Sequence, residues 1–185
     1  MDSSDNASAS PSPSRRRLLF GGVAVAAAAV GAGLAWWRHA PDDASSTALD
    51  ALWTGSFDTP QGTPLSMAVF RGKPLLINFW ATWCPPCVAE LPLIDAFYRQ
   101  HVAKSWQVLG LAIDQPSAVR SFLARAPVSF PIGLAGLGGT ELVKSLGNSS
   151  GGLPFSVVVS PAGQLLHRKI GRLLPSDLAG WADQT

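Results

Sequence analysis

Residues 75–92 read LLINFWATWCPPCVAELP, and they contain Cys84 and Cys87, the only two cysteines of the 185-residue chain. The apolar run 75–80 predicts a buried strand, and residues 85–100 predict a helix. The cysteines therefore lie where a strand passes into a helix N-terminus, whose N–H groups stabilise a nearby negative charge. Because the thiolate is the nucleophile of disulfide exchange, the pattern predicts a redox-active dithiol. Cys84 precedes the helix and is expected to attack, whereas Cys87 in the first turn is expected to be more buried.

Two other interpretations of the cysteine pair have less support. A zinc site needs further ligands, but the chain has no other cysteine, and His39, His101 and His167 lack ligand spacing. A purely structural disulfide that closes so short a loop constrains the unfolded chain little. We therefore expect no metal and no cofactor other than the redox-active disulfide between Cys84 and Cys87.

The N-terminal segment differs in composition from the rest of the chain. Residues 1–14 are rich in Ser, Pro and Asp and predict a disordered cytoplasmic tail. Three arginines at 15–17 then precede a run of 20 uncharged residues, 18–37. At about 1.5 Å per residue this run can cross a hydrocarbon core of roughly 30 Å. Residues 15–38 are thus predicted as a signal anchor or a signal peptide.

The details of this segment favour a retained anchor, although a cleaved signal stays open. Trp36-Trp37 lies where an interfacial aromatic pair is expected, and no A-x-A cleavage site adjoins it. The S-R-R-R-L-L start also resembles a twin-arginine export signal. In either case the arginines stay in the cytoplasm and the rest is exported. Residues 39–50 then predict a polar linker, and residues 51–185 predict the folded domain.

The charge balance of the exported part argues against a nucleic-acid partner. The formal net charge of the chain is +2. Residues 41–185 carry ten basic and ten acidic residues, so the excess of positive charge lies in the N-terminal segment. Since no basic patch is visible, we expect a solvated surface of mixed charge and no binding of nucleic acid.

Hydrophobic periodicity and turn residues predict an α/β sheet for the domain. Strands 75–80 and 106–113, joined by the helix 85–100, form a parallel βαβ unit. Turn residues at 161–163 predict an antiparallel hairpin near the C-terminus. The other predicted elements are strand-like segments 52–57 and 64–70 in an N-terminal hairpin, helix 117–125, strand 130–134, helix 141–146, hairpin strands 155–160 and 164–170, and helix 175–183.

The W-C-P-P-C core, with Glu90 and Pro92 after it, resembles the active-site segment of the thioredoxin superfamily. The resemblance is specifically to the membrane-anchored TlpA/ResA-type thiol-disulfide oxidoreductases of bacteria, and it extends more weakly from about Trp53 to the C-terminus. It implies a thioredoxin-like mixed sheet flanked by helices, with an N-terminal β-hairpin and a central strand-helix insertion. The N-terminal segment agrees with such a protein, and we expect a single pass through the bacterial inner membrane with the domain in the periplasm, or a soluble periplasmic protein after signal cleavage. We also expect a monomer.

The resemblance also implies how the surroundings of the dithiol act. Pro154, which spacing alone assigns to a turn before a strand, matches the cis-proline that faces the cysteines in the superfamily. The main chain of Leu153 is then expected to bind an extended substrate segment. Trp83, Pro85 and Pro86 are expected to shape the substrate-binding surface.

A proton-transfer group for the second cysteine is less evident. Thioredoxin has a buried aspartate in the strand before the active site, and here that position is Asn78. Glu90, three residues after Cys87, is therefore the nearest acidic side chain in sequence and a candidate for proton transfer. The alternative is a solvated helix glutamate or an ion-pair partner, because this spacing alone does not bring it to the thiol.

The activity implied by the resemblance is reduction of disulfides in periplasmic proteins. Its substrates would be apocytochromes c, or the cysteines of copper sites and copper-delivery proteins, and a membrane thiol reductant would supply electrons. The two prolines between the cysteines add no cation and no side-chain donor, so we expect a reducing potential, below about −200 mV. Two alternatives are a Cu(I) carrier that uses both thiolates and a peroxiredoxin-type peroxidase, although a peroxidatic cysteine has no partner at this spacing.

Overall fold

The computed structural model describes residues 43–184, with side chains described from Thr47 onward. The predicted tail 1–14 and the predicted membrane segment 15–38 lie outside the described residues. Among the helices that are described, none combines the length and the apolar character needed to cross a bilayer.

A mixed sheet of seven strands forms the centre of the described domain. The strands are β1 (Ser56–Asp58), β2 (Pro64–Ser66), β3 (Leu75–Trp80), β4 (Gln107–Ala112), β5 (Ile132–Leu134), β6 (Phe155–Val159) and β7 (Leu165–Ile170). Their spatial order is β2-β1-β5-β4-β3-β6-β7. The neighbours β3/β4 and β4/β5 are parallel, and the other neighbours are antiparallel. This confirms the predicted fold class, including the N-terminal hairpin.

Five α-helices flank this sheet in the described part of the chain. They are α1 (Asp43–Thr54), α2 (Pro85–His101), α3 (Pro116–Arg125), α4 (Gly139–Ser145) and α5 (Pro175–Ala182), with 3-10 turns at Met67–Phe70 and Val102–Lys104. All six residues of β3 are buried, as expected for a central strand with both faces covered. Successive side chains point to opposite faces. Leu76 and Trp80 enter one apolar cluster, while Ile77 and Phe79 enter the other.

The domain begins earlier than the sequence predicts. Most of the expected linker 39–50, and the first residues of the expected strand 52–57, form helix α1. Leu49, Leu52 and Trp53 are buried in the second apolar cluster, and the compact unit begins at residue 42. The predictions of a linker at 39–50 and of a domain boundary at 51 are therefore wrong. The few apolar residues of α1 lie on one buried face, and the polar residues between them hide this pattern in the sequence.

The predicted hairpin and insertion are present with shorter strands. The second hairpin strand ends at Ser66 rather than Phe70, because the Ser66 side chain accepts a hydrogen bond from the Ala68 N–H and begins a 3-10 turn. The central insertion consists of β5 and α4. Strand β5 joins the parallel strands and also pairs with β1, through Asp58 and Leu134.

The strand register brings distant parts of the chain to one edge of the sheet. Phe79 near the end of β3 pairs with Phe155 at the start of antiparallel β6. Strands β4 and β5 run parallel to β3, so they also end at this edge. The cysteine pair follows β3, and Pro154 precedes β6. The fold thus places both sequence-predicted sites at the same edge.

Candidate active site

Cys84 and Cys87 form a disulfide, with 2.04 Å between the sulfurs and 5.3 Å between the Cα atoms. Cys84 is the N-cap of α2 and has extended backbone angles. The Val88 N–H donates to the Cys84 carbonyl at 3.1 Å and closes the first turn. Pro85 and Pro86 occupy the first two helical positions and have no N–H. Of the first three helical residues, only Cys87 therefore offers an N–H to a thiolate at Cys84.

Burial distinguishes the two cysteines as predicted. Cys87 is fully buried, and Cys84 retains 5% exposure. Both belong to the apolar cluster on the face of the sheet that α2 covers. Trp83 is 65% exposed, and both prolines of the motif are exposed. Trp83 and the two prolines therefore form the exposed surface next to Cys84 in the sequence.

Pro154 lies at the edge of the sheet from which the chain proceeds to the cysteines. The Leu153–Pro154 peptide bond is cis, as predicted. The β3/β6 register, continued by one residue, places Pro154 opposite Trp80. The Pro154 carbonyl accepts a hydrogen bond from the Gly171 N–H at 2.8 Å. Leu153 packs, half-buried, against the cluster that contains both cysteines. Two of the predicted site segments are thus adjacent.

Glu90 is fully buried, so the interpretation as a solvated helix residue is wrong. One carboxylate oxygen accepts from Asn78 Nδ2 at 2.8 Å, and the other accepts from the Leu173 N–H at 2.7 Å. Burial raises the pKa of Glu90 above its ordinary value, while these two hydrogen bonds and the positive charge of Arg172 partly oppose the rise. A carboxyl group that exchanges protons above its usual pH range therefore lies one helical turn after Cys87.

Ser156 and Leu173, which bond to Asn78 and to Glu90, were not singled out from the sequence. Asn78 Nδ2 also donates to Ser156 Oγ at 3.0 Å, because the two residues are partners in the β3/β6 register. Ser156 is a polar residue within the buried strand β6, and that local signal could have identified it. Leu173 contributes through its backbone N–H, 83 residues away from Glu90, and no sequence signal marks it.

Metal-ligating side chains do not cluster among residues 43–184. No three His, Cys, Asp or Glu residues in that range lie close enough together to hold an ion. His101 stacks on Phe97 with 4.4 Å between ring centroids, and His167 stacks on Trp181 with 5.6 Å. These two histidines therefore pack against aromatic rings, and His39 lies outside the described residues.

Comparison with known proteins agrees with this site. The family model described as Redoxin matches residues 41–180, which is more than half of the chain. The thiol-disulfide oxidoreductase ResA of Bacillus cereus is 28% identical over 122 residues, which cover 65% of this chain and 68% of ResA. The sporulation thiol-disulfide oxidoreductase A of Bacillus subtilis is 28% identical over 118 residues, with 62% of this chain and 69% of that protein covered.

A solved structure shows the same architecture. MTB DsbF, in its mixed oxidised and reduced forms, has a TM-score of 0.61 and 25% sequence identity, and the match covers 72% of this chain and 96% of that one. The family match, the named oxidoreductase relatives and the Cys84–Cys87 disulfide all indicate the same chemistry. The chain therefore belongs to the Redoxin family, as a TlpA/ResA-type thiol-disulfide oxidoreductase of the thioredoxin superfamily.

Proposed function

We propose that this oxidoreductase works as a reductase, and that it transfers electrons from its dithiol to disulfides of other exported proteins. The observation that carries this proposal is the pair of prolines at the first two positions of α2. They leave the N–H of Cys87 as the one free donor among the first three helical residues. A weakly stabilised thiolate makes the disulfide form relatively favourable, and the dithiol then gives up its electrons readily.

The reaction begins at Cys84. Its thiolate attacks one sulfur of the substrate disulfide, and the substrate S–S bond breaks as a mixed disulfide forms. The second substrate sulfur leaves as a thiolate and takes a proton. Trp83, with its exposed ring, and the backbone of Leu153 support the bound segment on either side of the attacked bond.

The second step uses Cys87 and Glu90. The Cys87 thiol loses its proton and attacks the sulfur of Cys84, and the substrate sulfur that Cys84 had attacked leaves as a thiolate. We assign the proton to ionised Glu90, a buried carboxylate three residues along the same helix and held by Asn78 and Leu173. One released substrate thiolate takes its proton from solvent and the other takes the proton held by Glu90, so the substrate gains two electrons and two protons in total and the enzyme ends as the disulfide.

The proposed location rests on the sequence. Three arginines followed by 20 uncharged residues favour an anchor in the bacterial inner membrane with the domain in the periplasm, or a soluble periplasmic domain after signal cleavage. An oxidising compartment returns no electrons to a spent reductase, so a membrane thiol reductant has to supply them. Apocytochromes c, and the cysteines of copper sites or copper-delivery proteins, are the proposed substrates, and the enzyme is proposed to act as a monomer.

A cysteine trap tests the proposal. In Cys87→Ser, the thiolate of Cys84 still attacks but no thiol resolves the mixed disulfide, so substrates stay covalently bound. The variant is produced in bacteria, and its disulfide-linked partners are identified by mass spectrometry after quenching with acid. We expect exported proteins with paired cysteines, linked through Cys84.

The double variant Cys84→Ser, Cys87→Ser is the matched control, because it keeps the fold and removes both thiols. It should trap nothing. If the single variant trapped no more protein than the double variant did, or if the link ran through cytoplasmic proteins only, the proposal of an exported reductase would be wrong.

A further inference from the structure

A carboxylate from the neighbouring strand contacts the loop that carries the attacking cysteine. Strand β3 ends at Trp80, and the parallel strand β4 ends two residues before Asp114. One oxygen of Asp114 accepts hydrogen bonds from the Thr82 N–H at 2.8 Å and from the Thr82 hydroxyl at 2.6 Å. The other oxygen accepts from the N–H of Gln115 at 2.7 Å. Thr82 is two residues before Cys84.

The three groups that contact Asp114 match a carboxylate better than any other side chain. The two backbone N–H groups can only donate, and the hydroxyl donates to the same oxygen as the Thr82 N–H does. An asparagine in this place would direct its NH2 group toward the N–H of either Thr82 or Gln115, and two donors cannot bond to each other. Hydrogen bonds to an ionised acceptor are stronger than those between neutral groups.

These contacts fix the backbone at Thr82, between Ala81 and Cys84, which are both buried in the apolar cluster under α2. The chain between Trp80 and Cys84 makes a turn whose backbone bond, from Cys84 N to the Ala81 carbonyl, is long at 3.3 Å. In the oxidised enzyme the disulfide also ties Cys84 to helix α2. When the disulfide is reduced this covalent link is absent, and the bonds from Thr82 to Asp114 then restrain the loop together with the burial of Ala81 and Cys84.

We propose that Asp114 is a positioning residue for the thiol-disulfide exchange, which holds the loop 81–83 so that Cys84 stays at the helix N-terminus in the reduced enzyme. The inference rests on exchange at Cys84 and not on the direction of electron flow. Attack on a disulfide requires the sulfur to be placed closely against its target, and small displacements are costly to the rate. Asp114 acts through Thr82, without touching the substrate.

The main test compares two carboxylate substitutions in the full chain. Asp114→Glu keeps the charge, but its longer side chain cannot contact Thr82 and the adjacent Gln115 N–H together. Asp95→Glu is the matched control. Asp95 Oδ1 also accepts a hydrogen bond from a backbone N–H, that of Ser129, but Asp95 does not contact the loop that carries Cys84. The kcat/KM for reduction of a model peptide disulfide is measured, together with the pH profile of Cys84 alkylation in the reduced enzyme.

We expect Asp114→Glu to lower kcat/KM about ten-fold. The midpoint of the Cys84 alkylation profile should move to higher pH, because the loosened thiolate loses part of its contact with the helix N-terminus. Asp95→Glu should lower the unfolding midpoint without moving either value. If both variants changed kcat/KM and the alkylation midpoint equally, or if neither changed them, Asp114 would have only a structural role and the proposal would be wrong.

Substitutions at Thr82 test the same contact without altering the carboxylate, and they decide the matter if Asp114→Glu does not fold. Thr82→Val removes the hydroxyl and should lower kcat/KM about five-fold, whereas Thr82→Ser keeps the hydroxyl and should restore it. Equal rates for the two variants would overturn the proposal. All rates are ratios to the unaltered enzyme, so they remain valid if its potential contradicts the reductase proposal.

Discussion

Asn78 donates a hydrogen bond of 2.8 Å to Glu90, and this bond joins the buried strand β3 to the helix that carries the active-site cysteines. Both side chains are fully buried. The opposite oxygen of Glu90 accepts from Leu173, so one carboxylate connects β3, α2 and the segment before α5. Because burial raises the pKa of Glu90, the group keeps its proton to a higher pH than an exposed glutamate does.

Asn78→Ala should move the pH dependence of disulfide exchange. The hydrogen bond from the Asn78 side-chain amide favours the ionised form of Glu90, so its loss raises the pKa of that carboxyl further. We expect the Glu90 inflection in the profile of kcat/KM against pH to shift to higher pH. Ser156→Ala is the control, because Ser156 bonds to Asn78 and not to Glu90. An equal shift in both variants would contradict the assignment.

Glu90→Gln should remove one source of pH-dependent stability. The unfolded carboxyl has a pKa near 4.5 and the folded one a higher pKa, so the folded state binds its proton more tightly. The stability of the unaltered enzyme relative to the variant is therefore greatest below pH 4.5, and it falls as pH rises from 4.5 to the folded pKa. The glutamine side chain also changes the free energy of unfolding by an amount that does not depend on pH, because its NH2 group donates where the carboxylate of Glu90 accepts.

Urea unfolding of both proteins, from about pH 4 to pH 8, measures this difference. The expected result is a difference in the free energy of unfolding that declines from pH 4.5 to the folded pKa of Glu90 and stays constant at higher pH. A difference that stayed constant throughout, or that rose with pH, would show that the pKa of Glu90 is not raised in the folded enzyme.

Trp83→Ala should affect protein substrates more than it affects stability. Trp83 is 65% exposed, so its removal should change the free energy of unfolding by no more than about 0.5 kcal/mol. We expect a higher KM for a protein disulfide and an unchanged rate of alkylation by a small reagent. Val69→Ala removes an exposed apolar side chain from the turn after β2 and should change neither value. An unchanged KM in the Trp83 variant would contradict a substrate contact there.

The sequence predicts the reactive centre because its signals are local. An apolar strand, two cysteines and two prolines at a helix start follow one another within residues 75–87, and the structure places Cys84 at the N-cap. The parallel pairing of β3 with β4 and the two hairpins were also predicted, since a βαβ unit and tight turns restrict the connections, but the place of β5 between β4 and β1 was not. The place of Pro154 beside the cysteines followed from the resemblance to the thioredoxin superfamily, which has a cis-proline there.

The environment of Glu90 could not be predicted in the same way. Its spacing from Cys87 indicates the same side of a helix, but the donors come from Asn78, 12 residues earlier, and from Leu173, 83 residues later. The contact between Thr82 and Asp114 likewise joins the ends of two neighbouring strands, 32 residues apart. Such contacts depend on how the elements pack, and no local pattern encodes them.

Helix α1 was missed because its apolar residues are few and lie among polar ones. Leu49 is nevertheless buried, and Asp50 beside it is exposed. Leu49→Ala should therefore lower the free energy of unfolding by about 2 to 5 kcal/mol, whereas Asp50→Ala should change it by less than about 0.5 kcal/mol. Chemical denaturation of both variants checks this. If both substitutions were silent, the segment would be a linker after all.

The reduction potential of the Cys84–Cys87 pair tests the proposed direction of electron flow most directly. The enzyme is equilibrated with mixtures of reduced and oxidised glutathione, and the fraction of disulfide is read after acid quenching and thiol alkylation. We predict a potential on the reducing side of about −200 mV, because prolines occupy the first two positions of α2 and provide neither N–H groups nor charge to stabilise the thiolate. A potential of about −120 mV, as for DsbA, would contradict the proposed direction and identify the enzyme as an oxidant.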